Sequence, residues 1–190
     1  MARKTTGVKK KKQKLWYSIV APKVFGEKTL SETPSVDSKN VIGRKVNVTL
    51  SDLTGDFKHF HTVVTLKINE VKDLKAYTEY NGQSLISDKI ARMVSRWKSR
   101  IDAVEDVDTK DGHKLRLKNI VITRKRVNTT IKSEIRKKVF EETRNYCKGK
   151  DLESIINDIF SNKMQRHIFQ SAKNIYPLQS VEIRKTEVLK

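Results

Sequence analysis

Charge constrains this chain before any pattern is read. Its 41 lysines and arginines stand against 22 acids, a net charge of +19 on 190 residues. Unpaired charges of one sign cannot be packed inside, so the fold must spread them over its exterior. The core has to come from a lean 36% hydrophobic content. Such a surface repels itself and is stabilised by an anionic counter-surface. The charge is also organised: seven of the first fourteen residues are basic, ending in Lys9-Lys10-Lys11-Lys12-Gln13-Lys14, and no acid precedes Glu27.

Residues 1–14 are predicted to be a disordered basic arm, too charged to bury anything. Residues 15–190 are read as a single α+β domain, β-rich over 15–127, helical over 130–175 and closed by a strand over 179–189. Nucleic acid suits this charge better than a membrane. No run approaches the ~20 apolar residues of a spanning helix, and the arm has no apolar helical face. The stretch after the arm is broken by Pro22, Lys23 and Gly26, unlike a secretory signal. The one cysteine, Cys147, excludes an internal disulfide framework and a multi-cysteine zinc site, and points to a reducing compartment, cytosolic or nuclear. A nuclear-localisation reading of Lys9 to Lys14 stays open.

Patterning supplies the elements. Trp16 to Val20 reads as a strand and Lys28 to Asn40 as loop. Val46, Val48 and Leu50 alternate with Lys45, Asn47 and Thr49, as in a half-buried strand. Ser51 to Asp56 reads as a turn. His59 to Val71 and Ala76 to Tyr80 are further strands, the second ended by the tight-turn pair Asn81-Gly82. A helix is predicted from Ser87, with Ile90, Met93, Val94, Trp97 and Ile101 inward. Asp111-Gly112 reads as the turn of a hairpin whose second arm ends at Thr123. Ile131, Ile135 and Val139 stripe one helix, and Asp151 is the expected cap of another. A third spans roughly Asn162 to Lys173. Strands followed by helices, with a returning strand, indicate an α+β domain on an antiparallel sheet, its short strands curling into a barrel-like core flanked by helices.

Several constellations bear chemistry. Trp16 and Tyr17, beside the arm, are candidates for stacking on bases. Arg124-Lys125-Arg126 follows the apolar strand end Ile120-Val121-Ile122-Thr123, and with Asn128 suits a grip on sugar-phosphate backbone. Arg92, Arg96 and Arg100 recur at i, i+4, i+8, and on a helix would line one ridge whose mutual repulsion favours an anionic partner. Arg136, Lys137 and Lys138 form another helix-face cluster. Asp106, Asp108 and Asp111 miss the calcium-loop spacing. Asp106 with Asp108 leaves a magnesium-dependent nuclease as a rival reading. His59 and His61 lack further ligands at a recognisable zinc spacing. No Gly-rich phosphate loop or nucleophile elbow is present, so neither an enzyme nor a cofactor is expected.

The motifs form one ordered series along the chain. It comprises Lys14-Leu15-Trp16-Tyr17 with Ala21-Pro22 and Phe25, then Gly43-Arg44 leading into Leu50-Ser51-Asp52-Leu53, and Met93-Val94 with Trp97. Thr109-Lys110-Asp111-Gly112-His113 with Leu115-Arg116-Leu117 follows, then Thr123-Arg124-Lys125-Arg126, Asn128 and Ile135-Arg136-Lys137-Lys138. Ile175-Tyr176-Pro177-Leu178 with Val181 and Ile183-Arg184-Lys185 completes it. This series resembles the archaeal and eukaryotic small-ribosomal-subunit protein family called S-one-e (also S-three-a or S-three-Ae), and the resemblance covers Lys14 to Leu189. It implies a non-enzymatic, cytoplasmic constituent of the ribosome with a β-barrel-like core, on the platform near the mRNA exit and the 3′ end of the small-subunit rRNA. Its implied partners are that rRNA and neighbouring small-subunit proteins, with mRNA near the exit and initiation factors as further contacts and no membrane or small-molecule substrate. The long acidic C-terminal extension of many eukaryotic members is absent from the sequence, and the segment between Arg126 and Ile135 is shorter, so contacts made through either are not carried over.

The expected rRNA contacts are Lys9, Lys10, Lys11, Lys12, Lys14, Trp16, Tyr17, Arg44, Arg96, Arg100, Arg124, Lys125, Arg126, Asn128, Arg136, Lys137 and Lys138. A free RNA- or DNA-binding regulator is the remaining alternative. It differs in needing clear sequence preference for an isolated nucleic acid.

Overall fold

The computed structural model describes residues 13–189. Eight strands and five helices are present among them, in an α+β arrangement: β1 (Leu15–Val20), β2 (Thr29–Ser35), β3 (Lys45–Thr49), α1 (Leu50–Thr54), β4 (Thr62–Lys72), β5 (Lys75–Leu85), α2 (Ser87–Met93), β6 (Arg100–Asp108), β7 (Lys114–Thr123), α3 (Thr129–Cys147), α4 (Leu152–Phe160), α5 (Lys163–Lys173) and β8 (Leu178–Leu189). The hydrogen-bonded order is β2-β1-β5-β8-β7-β6, with β3 paired to β4 and β4 to β5. This order does not return on itself, so the expected barrel is an open sheet. It is also mixed, because β1 runs parallel to β5 through Ser18↔Lys75, Ile19↔Ala76 and Val20↔Tyr77.

The chain divides into two compact units. Among the described residues, one comprises 13–46 together with Lys67–Glu79; the other comprises Asn47–Leu66 and 80–189. The first unit has a small core in which Tyr17, Ile19, Val41, Ile68 and Ala76 are buried. Residues 28–40, expected as loop, instead hold β2, paired antiparallel to β1 from Leu15↔Ser35 to Val20↔Thr29. β2 is an end strand, where Pro34 can sit because its missing N–H interrupts no second ladder.

The second unit carries most of the apolar mass. One face of β6, β7 and β8 meets α3, α4 and α5 through Ile101, Leu115, Leu117, Ile135, Ile155 and Ile168, each at most 1% exposed. Each such side chain contributes roughly 1.5–3 kcal/mol on burial. β7 pairs with β6 from Arg100↔Ile122 to Asp108↔Lys114, and with β8 on its other edge. Inside the core, Asn119 Nδ2 donates to Thr143 Oγ1 at 3.1 Å, tying β7 to α3. Cys147 lies in the same core, and burial pushes its thiol up to about 11.

Four local expectations are corrected. Residues 51–56 are not a plain turn but contain most of α1, whose Thr49 cap accepts from the Asp52 amide at 3.3 Å and which Gly55 ends at φ 79°. Asn81-Gly82 does not end a strand. β5 continues to Leu85, and Gly82 faces Glu187 on β8. A Cβ there would run into the Thr186 carbonyl oxygen, so glycine is needed for close approach rather than for turning. Asp151 makes no side-chain cap; the Leu152 amide instead donates to Asp111 Oδ2 at 2.9 Å, so the β6–β7 loop caps α4. Finally, the helix begun at Ser87 stops at Met93. Trp97 takes φ 66° and is 78% exposed, and Ile101 is buried as a strand residue of β6.

Candidate nucleic-acid interface

β7 runs inward through Ile120, Val121 and Ile122 and ends at Thr123, which is fully buried. There the chain is pinned by polar contacts. The Ser99 amide donates to Thr123 Oγ1 at 3.1 Å, and the Thr123 amide returns a bond to the Ser99 carbonyl at 3.1 Å. Thr123 Oγ1 lies 2.6 Å from the Lys125 carbonyl oxygen, and the Val127 amide donates to Ser99 Oγ at 3.1 Å. The Arg124 amide donates to the Pro177 carbonyl at 3.2 Å. These bonds hold the backbone of the loop while Arg124, Lys125 and Arg126 stay exposed. No carboxylate lies within ion-pairing distance of the three among the described residues. Three unneutralised cations on a fixed backbone suit phosphate oxygens, with less ordering entropy to lose on contact.

The same pins gather a second basic segment. Ser99 is preceded by Arg96-Trp97-Lys98, with Arg96 and Trp97 exposed and Lys98 half-buried, so Arg96 and the 124–126 loop flank one Ser99–Thr123 pair. The expected Arg92–Arg96–Arg100 ridge does not exist. Arg92 is on α2, Arg96 in the turn and Arg100 on β6, where its guanidinium grips Asp102 at 3.0 and 3.1 Å. The spacing of Trp97 from Met93 fits an inward helix position, yet its indole is on the surface. Its flanking by Arg96 and Lys98 was the signal for exposure.

α3 begins just beyond the loop, with the exposed Asn128 as its N-cap residue. Arg136 is exposed and spends its Nε–H on the Asp102 carbonyl at 3.0 Å. Lys137 is exposed. Lys138 is engaged by Glu142 at 3.0 Å, which holds its ammonium above the usual lysine range.

In the first unit, Lys14 and Trp16 are exposed, Trp16 at 60%, whereas Tyr17 is 4% exposed in the core and offers no ring face for stacking. Arg44 is exposed but committed locally: Nε donates to the Asn40 carbonyl at 2.8 Å and Nη1 to Thr33 Oγ1 at 2.7 Å. Lys9, Lys10, Lys11 and Lys12 lie outside the described residues.

The acids of the β6–β7 hairpin are already occupied. Arg116 Nε and Nη2 grip Asp106 at 2.7 and 2.8 Å, holding its carboxyl below the usual range. Asp108 faces Lys114 at 3.8 Å. These are cross-strand charge pairs on the polar face of a hairpin, not the paired carboxylates of a nuclease. His59 and His61 do not share a strand face, since β4 begins at Thr62. His59 stands 4.0 Å from Asp56, and the His61 ring centroid is 3.5 Å from that of Phe60.

Fold and surface together define a basic α+β protein that gathers unneutralised cations on pinned loops. A model of the Ribosomal S3Ae family matches residues 2–190. The small ribosomal subunit protein eS1 of Sulfolobus acidocaldarius is 43% identical over 180 residues, 94% of this chain and 91% of that protein. The protein of the same name from Sulfurisphaera tokodaii is 40% identical over 190 residues, covering 100% of this chain and 98% of its own. That from Saccharolobus islandicus is 37% identical over 179 residues, 94% and 86% of the two chains. The chain belongs to the ribosomal S3Ae family, whose members are structural ribosomal proteins and not enzymes.

Proposed function

We propose that this chain is a structural constituent of the small ribosomal subunit, holding rRNA through its basic loops and its basic N-terminal segment. The observation that carries the reading is the pairing of Arg124-Lys125-Arg126 with Arg96-Trp97-Lys98 around Ser99 and Thr123. It joins unneutralised cations to one exposed indole, the combination that suits phosphate contact and base stacking. The names of the relatives, all small-subunit proteins, support the same assembly. Asn128, Arg136 and Lys137 extend the proposed surface of the larger unit, which Arg100 and Lys138 join only by exchanging their present partners; Lys14 and Trp16 are separate contacts proposed for the smaller unit, as is Arg44 if it gives up its local bonds.

The finer placement rests on the motif resemblance: the platform, near the mRNA exit and the 3′ end of the rRNA. Neighbouring small-subunit proteins, mRNA and initiation factors enter as partners on the same basis, and the cytoplasm as the compartment. Sucrose-gradient sedimentation of a native lysate tests the assembly. Co-migration with small subunits that survives moderate salt is expected, and recovery only at the top of the gradient would overturn it. Crosslinking within isolated subunits tests the placement, with the 3′ region of the rRNA as the expected partner.

A further inference from the structure

A second feature of the larger unit shares no lining residue with the pinned loops. α5 and the strands β5 and β8 border a cavity of about 780 Å³, within the size range of small-ligand sites. Its wall contains polar side chains that the protein does not satisfy. Gln83 on β5 is 4% exposed and Gln165 on α5 is 8% exposed, and the buried carbonyl oxygen of each has no hydrogen-bond partner in the protein. The buried Ser180 hydroxyl on β8 has none either. Gln165 is fixed in orientation, because its Nε2 donates to the Ile159 carbonyl at 3.0 Å, leaving Oε1 as the acceptor. Buried acceptors without donors are costly, and a ligand that brings N–H groups would satisfy them.

The rest of the lining narrows the chemistry of that ligand. The Phe169 ring borders the cavity, and Arg166 and Lys173 stand exposed at its edge with no carboxylate within ion-pairing distance among the described residues. Lys89, also lining it, is paired with Glu182 at 3.2 Å. An aromatic face, buried acceptors and unneutralised cations answer the three parts of a nucleotide: its stacking surface, its base edge and its phosphate.

We propose that this cavity takes one unpaired nucleotide of the bound RNA, with its base against Phe169 and its phosphates toward Arg166 and Lys173. The amide oxygens of Gln83 and Gln165 accept from an exocyclic amine, which adenine, cytosine and guanine carry and uracil lacks. The inference rests on the reading that this chain holds RNA and adds a site with a base preference.

The test uses the full chain with the short oligoribonucleotides r(A)6, r(C)6 and r(U)6, with affinity measured at one fixed salt concentration. The parent should favour r(A)6 and r(C)6 over r(U)6. Gln165→Leu should lose about tenfold in affinity for r(A)6 and r(C)6 and little for r(U)6, removing the preference. Equal affinity of the parent for all three, or an unchanged preference in Gln165→Leu, would overturn the proposal. If Gln165→Leu fails to fold, the exposed Arg166→Ala with Lys173→Ala takes its place, with weaker binding of all three oligomers expected and no change overturning. Replacing Arg124, Lys125 and Arg126 by alanine separates the two readings. Loss there with no effect at the cavity sinks the nucleotide site alone, whereas no RNA binding by the parent sinks the function on which it rests. In native small subunits, ultraviolet crosslinking should join an rRNA nucleotide to a peptide containing Phe169. A crosslink from that peptide to a neighbouring protein instead would make the occupant a polypeptide and overturn the proposal.

Discussion

The Ser99 backbone is bonded to both the backbone and the side chain of Thr123: the Ser99 amide donates to Thr123 Oγ1 and the Thr123 amide to the Ser99 carbonyl, both at 3.1 Å, and Thr123 Oγ1 lies 3.3 Å from the same carbonyl. The pair fixes the base of two basic segments, so Thr123→Val should act at a distance from the cations. Valine keeps the shape but leaves the buried Ser99 amide without its acceptor, at a cost of about 1–3 kcal/mol. A lower urea midpoint is expected, together with weaker RNA binding as the 124–126 loop loosens. An unchanged midpoint would show that the pair is not holding the loop.

Replacing Arg124, Lys125 and Arg126 together by alanine should leave the fold intact, since all three are exposed. If each meets a phosphate, the slope of log affinity against log salt should flatten by about two to three. The measurement is RNA binding across a salt series, and an unaltered slope would remove the triplet from the interface.

Asp111→Ala tests the cap that the hairpin loop lends to α4. The Leu152 amide loses its acceptor, and Asp151 makes no side-chain cap to replace it. The expected loss is about 0.5–2 kcal/mol by chemical denaturation. Asp151→Ala should cost less, reversing the order that sequence position suggests.

Glu187 supplies a pH dependence. Lys118 and Lys185 bond its two carboxylate oxygens at 2.8 and 2.6 Å and hold its carboxyl at about 2, down from 4.5. Because the folded value is the lower one, the stabilisation is present in full above pH 4.5 and is lost as pH falls toward 2. With the carboxylate 29% exposed, solvent screening limits it to about 1–2 kcal/mol. Glu187→Gln should therefore be less stable than the parent at pH 7, and the gap should vanish near pH 2. A gap that does not depend on pH would point to lost packing instead.

Much of this architecture could be read from periodicity. Leu115 and Leu117, at alternate positions of the hairpin's second arm, are both buried, and Ile135 and Val139 define the buried stripe of α3. The failures have particular causes. Met93, Trp97 and Ile101 fit a helix spacing, but the chain leaves the helix at Met93, so Ile101 is buried from a strand. Asn81-Gly82 has the composition of a turn, yet Gly82 answers a backbone contact with β8, far along the chain. Of the basic residues, the sequence marks position but not commitment. Arg100 and Lys138 are engaged by Asp102 and Glu142, while Arg124 to Arg126 are not, and only the folded neighbours distinguish them.

The order of the strands also sets a schedule. β8, made after every other strand among the described residues, lies between β5 and β7 and bonds to both. Until residues 178–189 have left the ribosome that makes them, those two strands have no neighbour across that gap. The apolar faces of β6 and β7 must wait on the α-helical layer alone. Completion of the larger unit therefore waits on the emergence of residues 178–189, and the nascent chain has reason to be shielded until that strand arrives.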